Sequence, residues 1–252
     1  MKQNPLPELW NQDRTAYTGW LTIPSSWSAE VMAQAGFDAV VVDLQHGLAG
    51  SEGMLAMLQA IGTTGAAPIV RVPWNEPSAV MRALDAGAYG VICPMVNTRA
   101  QCEAFVGACR FPPDGARSFG PTRSLVSIGP DYLARSRSFA VAFAMIETAE
   151  ALANLEAIAS VPGLDGLFLG PWDLSLALGL ERAGNLEDPV LVAACDRVLA
   201  AAREHGLVAG IYADSAAQGL RLADRGFRMV NIATDSAMLQ RGAAAELAQV
   251  KG

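Results

Sequence analysis

Eight short apolar runs, separated by stretches of helical pattern, constrain what this 252-residue chain can fold into more than any other feature. They are GWLTIP (19–24), AVVVDLQ (39–45), PIVRVP (68–73) and GVICPMV (90–96), then AVAFAMIET (140–148), GLFLGPWD (166–173), LVAGIYA (207–213) and MVNIATD (229–235). The runs are nearly continuous rather than alternating, the pattern of strands buried on both faces in a parallel sheet. Between them lie helix-like segments such as SAEVMAQAGF, SEGMLAMLQAIGTTG, PSAVMRALDAGA and TAEALANLEAIASV. Several open on Ser or Thr N-cap candidates, and several are followed by Gly. Eight strands alternating with eight helices predict an α/β chain folded as a (β/α)8 TIM barrel. No composition break suggests a linker, so residues 1–252 are expected to form a single domain.

One stretch breaks the rhythm. Residues 110–139 carry five arginines (Arg110, Arg117, Arg123, Arg135, Arg137) among several Gly and Pro. Insertions of this length are commonly functional or make contacts. Two readings stay open: a solvated or intersubunit loop, or a segment from which one arginine reaches an anionic substrate.

Charge and composition exclude several function classes. Lys and Arg number 18 against 25 Asp and Glu, a net charge of −7, which argues against a partner made of nucleic acid. The apolar runs fall far short of the roughly 20 residues a membrane span needs. The opening MKQNPLPELWNQDR has no apolar core of a secretory signal, so a cytoplasmic protein is expected. Cys93, Cys102, Cys109 and Cys195 show no zinc-type spacing and are expected to be free, buried thiols. Hydrophobic residues make up 52 % of the chain and charged ones 17 %, so part of the surface is expected to be covered in a homo-oligomer. Lysine occurs only at Lys2 and Lys251, which removes Schiff-base and P-loop chemistry. Histidine occurs only at His46 and His205.

Catalytic groups of a barrel of this type sit at the C-terminal ends of the strands. The polar residues there are Asp43, Gln45 and His46; Arg71, followed by Pro73-Trp74-Asn75; Glu147 and Thr148; Gly170-Pro171-Trp172-Asp173; and Thr234-Asp235. Glu147 and Asp173 close neighbouring strands. Two like charges in a barrel mouth repel unless a cation lies between them, which suits Mg²⁺ or Mn²⁺; the plain alternative is local capping or ion pairing. His46 stands three residues after Asp43, whose carboxylate is expected to polarise the imidazole for proton transfer. His205, in AAREHG, reads as a helix-end residue favoured by the dipole. Arg71 is suited to hold a carboxylate or to balance a developing oxyanion. Together these groups make a site for enolising a 2-oxo acid.

The series VVDLQHG, RVPWN, LDAGAYGVICPMV, RFPPDGARSFG, MIET and GLFLGPWDLSLALG, running in order over residues 20–235, resembles the HpcH/HpaI aldolases, the metal-dependent (class II) pyruvate aldolases. The resemblance implies a (β/α)8 barrel with an exchanged C-terminal helix in a hexamer. It implies a lyase that cleaves a 4-hydroxy-2-oxo acid such as 4-hydroxy-2-oxoheptanedioate to pyruvate and an aldehyde through a metal-bound enolate. His46 matches the proton-transferring histidine and Arg71 the enolate-stabilising arginine. Glu147 and Asp173 match ligands of Mg²⁺, Mn²⁺ or Co²⁺, and Asp173 also borders the substrate. Asp85 matches an aspartate credited with raising the basicity of the histidine; Asp43 is a second candidate for that role. Two positions depart from the pattern. Met145 stands where a substrate-contacting glutamine is common, and Trp172 replaces a small residue, so both are expected to shape substrate choice. Alternative readings are a sugar-acid aldolase, acting on 2-dehydro-3-deoxyglucarate or 2-keto-3-deoxyrhamnonate, and a non-catalytic barrel that binds an oxo acid.

Overall fold

Each of the eight apolar runs overlaps a strand in the computed structural model, which describes residues 2–251; β1 starts three residues before its run. The strands are β1 (Ala16–Leu21), β2 (Ala39–Asp43), β3 (Ala67–Arg71), β4 (Gly90–Cys93), β5 (Val141–Ile146), β6 (Gly166–Leu169), β7 (Val208–Tyr212) and β8 (Met229–Thr234). They pair in sequence order, all parallel, and β8 closes on β1 to complete a barrel. Helix α1 (Pro5–Asn11) precedes the barrel, while α2 (Ser26–Gln34), α3 (Ser51–Ile61), α4 (Pro77–Asp85) and α5 (Arg99–Cys109) follow the first four strands. Then come α6 (Thr122–Ser127) and α7 (Tyr132–Phe139) before β5, and α8 (Ala149–Ala153) and α9 (Leu155–Ala159) after it. Helices α10 (Pro171–Ala177) and α11 (Pro189–Glu204) follow β6, α12 (Ala216–Arg225) follows β7, and α13 (Asp235–Lys251) follows β8. Among the described residues no helix is long and apolar enough to cross a membrane.

The continuous apolar character of the strands has a direct cause: both of their faces are buried. Val40, Val42, Val70, Ala144, Ile146 and Leu167 pack outward against the helices. Val41, Ile69, Ile92, Phe143 and Phe168 fill the barrel interior. Helix α1 plugs the N-terminal end with the fully buried Leu6, and its Trp10 meets Phe143 edge-on at 5.7 Å. All four cysteines are buried and free, and burial raises the thiol of Cys195 to about 11.

Three sequence expectations are corrected. The helices outnumber the strands, because 148–161 breaks at Asn154 into α8 and α9, and α1, α6, α7 and α10 are additional. The run 166–173 is strand only as far as Leu169. Pro171, with its φ preset and no N–H to lose, opens α10 instead, so Trp172 and Asp173 stand on a helical first turn.

The third correction is that residues 110–139 are not an irregular insertion: they include α6 and α7, and their arginines are bonded within the chain. Arg117 is buried, donates to Asp85 (2.7 Å) and to the Tyr132 hydroxyl (2.9 Å), and stacks on Phe111 at 4.4 Å. Arg110 pairs with Asp165 and donates to the carbonyls of Ala140 and Gly163. Arg123 donates to the Ala86 carbonyl, Arg135 pairs with Asp131, and Arg137 with Asp114. The segment leads into the N-terminal end of β5, away from the rim where catalytic groups gather, and within this chain none of the five reaches that rim.

Candidate active site

The barrel opens at the C-terminal ends of its strands into a cleft of about 290 Å³. Its polar floor begins with a register effect. Asp43 and Arg71 end β2 and β3 and are direct partners in the parallel ladder, so their side chains rise side by side. Arg71 donates through Nε (2.8 Å) and Nη2 (2.6 Å) to the two oxygens of Asp43, both residues being buried. The guanidinium lies over Trp20 at 5.0 Å, and Tyr212 meets the same indole edge-on at 5.6 Å. Burial pushes the Asp43 carboxyl up, but the Arg71 hydrogen bonds and charge, with help from Trp20 and the Gln45 N–H, outweigh it and hold the group below its ordinary value. Among the described residues Nη1 of Arg71 makes no hydrogen bond, which leaves a donor for a bound anion.

Across the cleft, Glu147 follows the last residue of β5 and is 1 % exposed. Its Oε1 accepts from the Met95 N–H at 2.7 Å. Met95 has φ +55°, a backbone conformation that costs a side-chain-bearing residue on the order of 1 kcal/mol and gathers at functional sites. Oε2 is buried with no hydrogen-bond partner. Burial lifts the carboxyl to about 7; the Met95 N–H and Arg71 oppose the rise and the charge of Asp173 adds to it. Gly170, next in register after the Ile146–Leu169 pair, makes room: a Cβ there would lie 2.6 Å from Oε2. A costly unpaired oxygen, a second carboxylate on the facing α10, and a glycine that keeps the space clear fit a hard divalent cation. Two carboxylates alone leave the remaining positions to water and substrate; among the described residues no cluster of three His, Cys, Asp or Glu side chains completes a cage.

The remaining expected residues fall as follows. His46 lines the cleft with an exposed ring, and its contact with Asp43 runs through its backbone N–H (3.3 Å) rather than the imidazole. Asp43 therefore orients Arg71 instead of polarising His46, which corrects the expectation. Asp85 is held by Arg117 at the end of α4 and does not line the cleft, so one chain by itself does not bring it to His46. Met145 and Trp172 both line the cleft, Met145 buried and Trp172 half-exposed. Gly184, at φ +71°, packs so closely on the Trp172 ring that a side chain there would collide with it. Thr148 caps α8, and Asp235 accepts from Thr22, Ile23 and Ser28, so both are structural. His205 ends α11 and contacts Glu156 at 3.2 Å.

Trp20, Thr22, Phe168, Tyr212 and Asp214 also line the cleft and were not singled out in the sequence. Asp214, two residues beyond β7, follows the same strand-end rule that picked out the others. Trp20 and Tyr212 lie within apolar runs and look like core.

A family model described as HpcH/HpaI aldolase/citrate lyase matches residues 18–241. The hydroxypyruvate/pyruvate aldolase of Rhizorhabdus wittichii is 42 % identical over 248 residues, covering 98 % of this chain and 99 % of that one. The 4-hydroxy-2-oxo-heptane-1,7-dioate aldolase of Salmonella dublin is 36 % identical over 229 residues, covering 90 % and 86 %. The crystal structure of an HpcH/HpaI aldolase/citrate lyase family protein from Burkholderia cenocepacia J2315 superposes with a TM-score of 0.91 at 32 % identity, covering 99 % of this chain and 100 % of that one.

Proposed function

The chain belongs to the HpcH/HpaI aldolase/citrate lyase family and is an aldolase, a carbon–carbon lyase; from that premise we propose that it acts reversibly on a 4-hydroxy-2-oxo acid to give pyruvate and an aldehyde, and that it needs a divalent metal. The observation that carries the reading is the buried, unpartnered Oε2 of Glu147, set beside Asp173 and across from Arg71.

Glu147 and Asp173 would hold Mg²⁺, Mn²⁺ or Co²⁺. Bound there, the cation would supply a Lewis acid to a 2-oxo acid donor. Arg71, fixed by Asp43 and Trp20, offers its free Nη1 to the oxygen on which enolate charge develops. His46 takes the proton of the C4 hydroxyl as the C3–C4 bond breaks, protonation of the resulting enolate at C3 completes pyruvate, and the proton flow reverses in the direction of synthesis. Met145 and Trp172 form apolar walls beside the reacting carbons. The relative from Rhizorhabdus wittichii is named for hydroxypyruvate as well as pyruvate, which favours hydroxypyruvate as a second donor.

The proposal extends to a homo-oligomer, hexameric as in the resembling aldolases, with α13 exchanged between subunits. Of the 17 residues of α13 only Asp235 is buried, leaving Leu239, Leu247 and Val250 without cover. Light scattering is expected to return a multiple of the chain mass; a monomer would remove this part.

The chemistry is tested with 4-hydroxy-2-oxopentanoate, following pyruvate release by reduction to lactate. Release is expected only after Mg²⁺ or Mn²⁺ is added to metal-stripped protein, and Arg71→Ala is expected to cut it by about 10³. Release that is equally fast without any divalent metal would overturn the metal-dependent reading.

A further inference from the structure

The balance of charge in the cleft bears on the second reactant. Arg71 is the one arginine and His46 the one histidine among the lining residues, against the carboxylates of Asp43, Glu147, Asp173 and Asp214. Arg71 is already engaged by Asp43, and in the proposed reaction its free Nη1 would face the donor acid. Glu147 and Asp173 would be neutralised by a divalent cation. Asp214 is left over. It is exposed, its backbone N–H is satisfied by Gln218, and its carboxylate makes no hydrogen bond among the described residues. It stands beside Tyr212, whose hydroxyl is joined to Thr234 at 2.6 Å.

Apart from Arg71, no arginine or lysine of the described chain lines the cleft to offset Asp214. The arginines of residues 110–139 are tied down away from the rim, and Lys2 bonds the Gly62 carbonyl. The rest of the wall is Trp20, Phe168, Trp172 and Tyr212. We propose that the aldehyde accepted by this cleft carries no carboxylate, and that Asp214 is the specificity-determining residue that turns a carboxylate-bearing aldehyde away. The class of acceptor is therefore an uncharged aldehyde, alkyl or hydroxylated, whose tail lies on the aromatic wall. The inference rests on the aldolase reading above.

The test compares butanal with 4-oxobutanoate, in which a carboxylate replaces the terminal methyl, in aldol addition to pyruvate by the Mg²⁺-loaded protein. Wild type is expected to favour butanal in kcat/KM by about tenfold or more, since like charges at close quarters penalise the wrong partner. Asp214→Asn is expected to reduce that preference about fivefold, mainly through the KM for 4-oxobutanoate, and Asp214→Lys to reduce it further. Added salt is expected to narrow the wild-type preference and leave that of Asp214→Asn nearly unchanged. A wild type that prefers 4-oxobutanoate, or a preference that neither substitution moves, overturns the inference. A wild type that does not exchange the C3 protons of pyruvate with solvent, in the absence of any aldehyde, overturns the aldolase reading instead.

Discussion

Glu147→Gln is expected to abolish Mn²⁺ binding and pyruvate release while making the metal-free protein more stable at pH 8. The reason is the burial of a carboxylate whose Oε2 has no partner, which raises the group from an ordinary 4.5 to about 7. The folded state thus binds this proton more tightly than the unfolded chain. Its contribution to stability is full below about 4.5 and is lost as pH rises through about 7. The difference corresponds to about 3 kcal/mol lost by metal-free wild type across that window. Glutamine does not ionise, so the variant should lack this component of the pH dependence. Urea unfolding of both metal-free proteins from pH 5 to pH 8 checks this. Mn²⁺ at saturating concentration should restore wild type at pH 8, because a ligand of the folded state alone adds stability by mass action, and should leave Glu147→Gln where it was. Equal pH slopes for the two proteins would show that Glu147 carries no such penalty.

The second large effect lies across the cleft. Arg71→Lys is expected to lose nearly as much activity as Arg71→Ala, because a lysine ammonium cannot reproduce the two parallel bonds to Asp43 while leaving a third donor in place. Asp43→Asn keeps the arginine but loosens its orientation, with an expected loss of 10- to 100-fold in kcat. Arg71→Ala also leaves Asp43 as a buried charge without its partner, at a cost of about 3 kcal/mol in urea unfolding. Asp43 is held below its ordinary 3.8, so the stability it contributes is present above 3.8 and is lost as pH falls through the lower, folded value. That window does not overlap the one set by Glu147, and the two effects separate cleanly on a pH axis. Full activity in Arg71→Lys would mean that the positive charge alone is used, and not the held geometry.

Glu147, Asp43 and Arg71 were legible because each stands at or just past the end of a run that is otherwise wholly apolar, and a parallel barrel turns strand ends into one rim. Asp173 was found in the right neighbourhood but on the wrong element, since the Gly170-Pro171 step converts the strand end into a helix start. What sequence pattern could not show was partnership. The three-residue spacing of Asp43 and His46 suggested a carboxylate–imidazole pair, yet the ladder register gives Asp43 to Arg71. Arg117 and Asp85 are 32 positions apart and meet because the segment after α5 packs against the C-terminal end of α4. Trp20 and Tyr212 stayed hidden for a different reason: an aromatic inside an apolar run has the same signature whether it fills the core or supports a guanidinium.

The most direct measurement is hydrogen–deuterium exchange at C3 of pyruvate in D₂O, followed by NMR, with no aldehyde present. Metal-stripped wild type should be silent, addition of Mg²⁺ should start exchange, and Glu147→Gln and Arg71→Ala should remain silent with Mg²⁺ present. Exchange in folded wild type that proceeds without metal and survives both substitutions would contradict enolisation at Glu147, Asp173 and Arg71.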